Sequence, residues 1–437
     1  MAKPSPKVER ASRPEWLVQF GRRLRQARGY AGITQEQLAG GDCNKSFISL
    51  LESGRSYPSV ETVAALARRA GTSVASLLLD PEALRWETAY NLLHLAWHLD
   101  PVERGAEALR LAEMAEAVVP GHPAELSARA ILVRARIAVM TDRLVEGAQL
   151  ADQAAAVARR HQLPGALGRA LVLRGIAAER RGEYRVAVTV LGKALEIMRQ
   201  ARSAHTEDEV WACLSLGAAW GRTGQLARAR RSYRRALELA TRLGLQRMRG
   251  RALTGLALAE WASRRPDQAV DLLEQAYDAF EQIEDLAEMS RVLNNLGLLR
   301  REQGLYAEAL AVLQRALRLR DRQPDVRGRS ATLDEIAQVY LAMSRWNEAA
   351  RIARRALKDA SASGDQSRQA AAQVTLARAL RAQGRWQEAV ELLQVAVPTL
   401  SRLGMHAQAV SASTELNLLL TSLRAGPVEE HEAHKGA

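Results

Sequence analysis

One pattern of a turn residue followed by small residues recurs every 40 to 42 positions through most of this 437-residue chain. A turn residue is followed two positions later by an aromatic residue or Leu, and three positions after that by Ala. The clear copies are Gly182/Tyr184/Ala187, Gly224/Leu226/Ala229, Gly304/Tyr306/Ala309, Ser344/Trp346/Ala349 and Gly384/Trp386/Ala389. Weaker copies start at Asp100, Asp142 and Arg264. Successive starts from Asp100 to Gly384 are separated by 42, 40, 42, 40, 40, 40 and 40 residues. Chance does not hold a register over seven intervals, so one supersecondary unit is being stacked. Gly or Ala stands twelve residues before each of these alanines (Gly175, Gly217, Ala257, Gly297, Ala337, Ala377). Ala stands seven residues after (Ala194, Ala236, Ala276, Ala316, Ala356, Ala396). Small residues at fixed points let the two helices of a hairpin, and neighbouring hairpins, approach closely. That rule explains a composition with only 4% aromatic residues and 3 Phe. The core of such an array is built from Leu and Ala.

The first 80 residues follow a different rule. Apolar residues Trp16, Leu17, Phe20 and Leu24 predict a helix with one buried face. Thr34 is a natural N-cap, and Gln37 three residues later completes a capping box for the helix Gln35–Ala39, which Gly40-Gly41 ends. A third helix opens at Asn44 and closes at Ser53-Gly54; Pro58-Ser59 starts a fourth with Val60, Val63, Leu66 and Ala67. Leu77 and Leu78 supply a fifth apolar contact. A short helix, a tight turn with Gly and a second short helix form the arrangement that places the second helix in a DNA major groove.

The residues Leu24, Arg28, Ile33-Thr34-Gln35-Glu36-Gln37-Leu38-Ala39, Phe47-Ile48-Ser49, Leu51-Glu52-Ser53-Gly54-Arg55, Pro58-Ser59, Val63 and Leu66-Ala67 closely resemble the Cro/C1-type (XRE) helix-turn-helix domain. The resemblance implies an internal Arg28–Glu52 ion pair. It implies that Gln35 meets a phosphate, that Lys45, Ser46 and Ser49 face base edges, and that Arg55 reaches the DNA backbone. General chemistry agrees: helix N-termini hold phosphates, and Lys donates to guanine O6 and N7. In two respects the sequence departs from the family. The turn Gly40 to Cys43 is one residue shorter than the commonest form, and Leu50 stands where the family often has a polar reader. A domain of this type used only for protein contacts is the bland alternative.

From Leu84 to Leu423 the repeats resemble tetratricopeptide repeats with longer helices than the usual 34-residue unit. They are similar to those of kinesin light chains and of the peptide-pheromone regulators of the PlcR/NprR/Rap group. The expected fold is therefore all-α: a five-helix helix-turn-helix domain at 14–80, then a right-handed α-solenoid of about eight hairpins at 84–423. A basic disordered arm at 1–13 and a disordered tail at 424–437 complete the expected organisation.

Repeat arrays of this type bind peptides or helices on the face lined by the first helix of each hairpin. Positions three before, six before and one after the small reference residue should face that groove. They select Trp211, Arg251, Arg291, Asn294, Asp334, Gln338 and Arg378. Asn294 offers both a donor and an acceptor to a peptide backbone, and the three arginines suit carboxylates. The competing reading makes all seven the solvated face of an Arg-rich array.

The net charge of +13 divides unevenly. Residues 1–80 hold 12 Lys and Arg against 7 Asp and Glu, a net of +5, and the remaining 357 residues hold +8. The N-terminal excess fits attraction to phosphate. Met1–Arg13 is basic with no apolar run behind it, so it is not expected to be a secretory signal. No stretch has the length of a membrane span. Cys43 and Cys213, 170 positions apart, exclude a disulfide scaffold and fit a reducing cytoplasm. Cys43, in the turn of the DNA-binding segment, is open to a redox role or a packing role. No phosphate loop, dinucleotide loop or His-Glu-x-x-His is present. His94 and His98 are two ligands at most, too few for a metal site.

The sequence thus predicts a cytoplasmic transcriptional regulator, at the nucleoid when bound to DNA, with no enzymatic activity and no cofactor or metal. Double-stranded operator DNA is the expected partner, with a peptide or protein ligand in the groove. A homodimer is expected because one short helix contacts one half-site. The alternative is a scaffold or inhibitor acting mainly through protein contacts.

Overall fold

The computed structural model describes residues 15–425, except 42, 80, 120, 122, 202–205 and 323–325. The expected arm and all but the first two residues of the expected tail lie outside the described residues. The described residues are helical throughout, with no strand beyond an isolated bridge between Gly40 and Cys43. They divide into two compact units, 1–181 and 182–437.

The first unit opens with five helices: α1 (Glu15–Tyr30), α2 (Gln35–Ala39), α3 (Lys45–Glu52), α4 (Val60–Arg69) and α5 (Val74–Leu78). Phe20, Leu24, Leu38, Ile48, Leu51, Leu66 and Leu77 close their core, all nearly inaccessible to solvent. Every cap predicted here is formed. Thr34 Oγ1 accepts from the Gln37 amide at 3.2 Å while the Thr34 amide donates to Gln37 Oε1 at 2.8 Å. The side chains of Asn44 and Ser59 cap α3 and α4 by accepting from the amides of Phe47 and Thr62. Gly21 on α1 is where α3 crosses: a Cβ there would stand 2.3 Å from the Leu51 carbonyl oxygen.

Three apolar expectations fail, Val60 at the first position of α4 being 78% exposed. Trp16 is 49% exposed, because the buried stripe of α1 runs Leu17, Phe20, Gly21, Leu24 and leaves Trp16 on its rim against Tyr57. Leu78 is 44% exposed, since α5 ends there and Leu77 alone points inward.

The same unit continues with α6 (Pro81–His98), α7 (Gly105–Val118), α8 (Ala124–Met140), α9 (Leu144–Arg160) and α10 (Pro164–Arg180). Asp100 starts a longer turn than its counterparts, in which its carboxylate accepts from the amides of Val102 and Glu103.

The second unit is one run of antiparallel helices: α11 (Tyr184–Gln200), α12 (Glu207–Arg222), α13 (Leu226–Arg242), α14 (Gln246–Ala262), α15 (Pro266–Glu281), α16 (Leu286–Glu302), α17 (Tyr306–Asp321), α18 (Val326–Ala342), α19 (Trp346–Ala362), α20 (Gln366–Ala382), α21 (Trp386–Arg402) and α22 (His406–Ala425). Each helix packs on the next, and first helices also touch one another: α12 on α14, α16 on α18, α18 on α20.

The repeat's punctuation has a backbone cause. Asp142, Gly182, Gly224, Arg264, Gly304, Ser344 and Gly384 all adopt positive φ, between 58° and 80°. The left-handed residue satisfies the last carbonyls of a helix and turns the chain into its partner. The small residues are equally literal. A Cβ on Gly217 would meet the Tyr233 ring at 2.6 Å, and one on Gly297 would meet Leu313 Cγ at 2.4 Å. Ala229, Ala236, Ala309, Ala316, Ala349 and Ala356 have no accessible surface.

Candidate functional site

In the N-terminal unit, α3 is clamped on its inner side and open on its outer one. Arg28 Nε donates to Glu52 Oε1 at 2.6 Å and a second guanidinium nitrogen donates to Oε2 at 3.2 Å. Arg28 also donates to the carbonyl of Ile33, which ties α1 to the start of α2. The Glu52 hydrogen bond raises the Arg28 pKa above its ordinary value. Gln35 Nε2 donates to Glu52 Oε2 at 2.8 Å, so this side chain, which the resemblance sends to a phosphate, is turned inward to the clamp. Lys45, Ser46 and Ser49 lie exposed on α3, together with Leu50 at 42%. Arg55 is exposed just beyond the helix.

Arg69 is a contributor that the sequence reading missed. From α4 its guanidinium donates to the carbonyls of Ala39 at 2.8 Å and Leu38 at 3.4 Å. It lies against Gly40, where any Cβ would meet Arg69 Nε at 2.5 Å. The end of α2, and with it the turn into α3, is held by this side chain. Cys43 in that turn is half-buried and packs against the domain core.

Six of the seven repeat residues predicted to line a groove fall into three groups. Trp211, Arg251 and Arg291 are linked: the Arg251 guanidinium stacks over the Trp211 ring at 5.2 Å, and its Nε donates to Glu288 Oε1 at 2.9 Å. Glu288 also pairs with Arg291. Asp334 and Gln338 are joined by a 2.9 Å bond from Gln338 Nε2 to Asp334 Oδ2. Arg378 stands apart, bound to Glu415 at 2.8 Å. Each groove arginine is therefore occupied by a carboxylate of this chain. The Oδ1 atoms of Asn294 and Asp334 are buried without a hydrogen-bond partner.

Glu335, also missed, extends the second group. Burial and the neighbouring Asp334 charge push its carboxyl up to about 7, while Arg301 and Arg368 pull the other way. Burial likewise raises Asp334, against the Thr375 hydroxyl, Gln338, Arg368 and Arg301. Two positions before the small reference residue three successive repeats carry Asn295, Glu335 and Thr375, but Leu173 and Gly255 stand there in others, so the spacing alone did not mark Glu335.

Other candidates carry little chemistry. Burial pushes the Cys213 thiol up to about 12, with Glu209 adding and Arg235 opposing, which leaves it unreactive. His94 and His98 rest ring on ring at 4.5 Å. Among the described residues no group of three or more His, Cys, Asp or Glu is placed to hold a metal ion. No described helix is long and apolar enough to cross a membrane.

Comparison with known proteins agrees with this architecture. Residues 19–78 match a helix-turn-helix domain, and residues 212–282, 288–362 and 330–402 match the tetratricopeptide repeat. A search of curated proteins finds no significant match. The fold is similar to that of the apo form of the quorum sensor NprR from B. thuringiensis (TM-score 0.55, 14% identity, 78% of this chain and 100% of that one). It is also similar to a Rap protein complexed with competence and sporulation factor (TM-score 0.53, 15% identity, 78% and 98%). The apo form of RapI is a third such structure (TM-score 0.52, 10% identity, 88% and 98%). This chain joins an XRE-type helix-turn-helix domain to an array of tetratricopeptide-like repeats.

Proposed function

We propose that the protein is a DNA-binding regulator that reads an operator with α3 and takes a peptide on the first-helix face of its repeats. The observation that carries the reading is α3 itself. It is capped by Asn44 and clamped through Glu52, and it presents Lys45, Ser46 and Ser49 outward in one exposed row. A short helix has value as a reader only when it is held rigidly on its other side. One such helix covers one half-site, so the functional form is a homodimer on a two-fold operator. The likeness in fold to a quorum sensor and to a Rap protein complexed with competence and sporulation factor supports a sensing role for the repeats. A ligand in the repeats would act by changing the spacing of the two α3 helices. The groove work is binding, and we assign it no catalysis.

The test is retention of genomic DNA fragments by the purified protein in the presence of excess non-specific DNA. Specific fragments are expected, with Lys45→Ala losing roughly tenfold to a hundredfold in affinity for them. Fragments held no better than competitor DNA, or equally by Lys45→Ala, would refute the DNA-reading role. For the groove, capture from a pool of short peptides is expected, with Asn294→Ala weakening it at unchanged folding. Unchanged capture would remove Asn294 from the site.

A further inference from the structure

The outer row of the repeats, formed by the second helix of each hairpin, carries two opposite charge stripes in one register. On α19 the exposed residues Arg351, Arg354, Arg355 and Lys358 follow the i, i+3, i+4, i+7 spacing of one helix face. None of these four side chains has a hydrogen bond or salt bridge among the described residues. The two carboxylates of their own helix are already taken, Glu348 by Arg345 at 2.6 Å and Asp359 by Arg329 at 2.7 Å. Eighty positions earlier, on α15, the same four places hold Asp271, Glu274, Gln275 and Asp278, all exposed and likewise unbonded. That helix has no Lys or Arg of its own. Between the two, α17 presents Ala311, Gln314, Arg315 and Arg318 at these places, Arg315 donating to the Tyr277 hydroxyl at 2.6 Å. Like charges three and four residues apart on a helix repel, so each stripe is destabilising until an opposite charge is laid on it.

We propose that the outer face of α15, α17 and α19 is where two copies of this chain meet, about a two-fold axis through α17, a proposal that rests on the reading of the functional form as a homodimer. Such an axis brings α15 of each copy against α19 of the other, with the paired helices antiparallel. In that register Asp271 meets Lys358 of the partner subunit, Glu274 meets Arg355 of the partner subunit, and Asp278 meets Arg351 of the partner subunit. The same three contacts recur on the other side of the axis, as a self-complementary interface requires. At the centre Ala311 lies opposite Arg318 of the partner subunit, and Gln314 opposite Arg315 of the partner subunit. No like charges face each other. A DNA backbone is a poorer occupant, because the α15 carboxylates on the same outer row repel phosphate. Exposed ion pairs are individually weak and are screened by salt, so the contact is reversible and salt-sensitive.

The experiment is analytical ultracentrifugation of the full chain, free of DNA, at low and at high salt (about 50 and about 500 mM NaCl). Self-association is expected at low salt, weakening by roughly tenfold or more at high salt. Two charge-reversed variants isolate this face: Asp271→Lys/Glu274→Lys/Asp278→Lys on α15, and Arg351→Glu/Arg355→Glu/Lys358→Glu on α19. All six side chains are exposed, so both variants keep the fold. Each alone sets like charges against each other and should lose roughly tenfold or more in self-association. Mixed in equal amounts, the two variants should associate as the parent does, because every α15 then meets an α19 of opposite charge. A parent that stays monomeric at low salt, or a mixture no more associated than its components, would overturn the proposal. A parent dimer indifferent to both reversals would sink this face and leave the homodimer reading standing. Rescue by mixing, with a single protected half-site on DNA, would do the reverse. Loss of DNA retention in the α19 variant with its sedimentation unchanged would make the stripe a phosphate contact and overturn the proposal as well.

Discussion

Glu52 is the residue on which the N-terminal unit turns. Its side chain is 4% exposed and accepts from Arg28 on α1 and from Gln35 on α2 while sitting on α3 itself. Removing Glu52 leaves the partly buried Arg28 guanidinium and the Gln35 amide without their acceptor, at about 1–3 kcal/mol. Glu52→Ala should therefore raise amide exchange across α1 to α3 by roughly tenfold or more, with exchange in α16 to α20 unchanged. Exchange rates unaltered in α1 to α3 would show that the clamp is not structural. This residue's importance was legible only through the resemblance, since no local rule pairs positions 24 apart. The Thr34–Gln37 capping box was legible from local spacing alone, because both of its bonds close within four residues. The inward turn of Gln35 was not legible, since the position of α3 decides it.

At the scale of an element, the helical turns and seams are where the account is easiest to test. Ser344 holds φ 58° in the turn before α19, a conformation that costs an L-residue about 1–2 kcal/mol, whereas Gly304 holds φ 79° at the equivalent turn with open space around it. Ser344→Gly should stabilise its hairpin, offset in part by the entropy of glycine in the unfolded chain. Gly304→Ser should destabilise by about 1 kcal/mol. Local hydrogen exchange at α18/α19 and α16/α17 separates the two, and effects of the same sign would contradict the left-handed-turn account.

Glu335 provides a pH test of α18. Its carboxyl is raised from an ordinary 4.5 to about 7, so between those values the folded chain holds the proton more tightly than the unfolded one. Stability from this group is complete below pH 4.5 and is lost as pH rises toward 7. Glu335→Gln should flatten that part of the melting-temperature profile, and a profile identical to the parent's would refute the shift. The repeat period predicted these helices and their turns because close packing repeats wherever the geometry does. It did not predict Asp334 and Glu335 as a buried pair, because burial of a polar side chain in the seam depends on the neighbours that α16 and α20 place around it.

For the whole molecule, the charge imbalance becomes a statement about salt. Exposed Arg55 beyond α3 is expected to contact a phosphate, and each phosphate contact adds about 0.9 to the slope of log affinity against log salt. Arg55→Ala should weaken binding to all DNA fragments alike and lower that slope by about 1. Loss confined to one sequence would make Arg55 a base reader instead. Arg69→Ala tests positioning: it frees the carbonyls of Leu38 and Ala39, and operator affinity should drop with α3 still folded. The measurement closest to the central claim is a footprint of the full chain on a fragment it selects. Two protected half-sites are predicted, centred one helical turn apart (about 10 base pairs) or a multiple of it, both lost in Lys45→Ala. A single unpaired protected segment, or protection that survives Lys45→Ala unchanged, would contradict the reading of α3 as the operator-reading helix of a dimer.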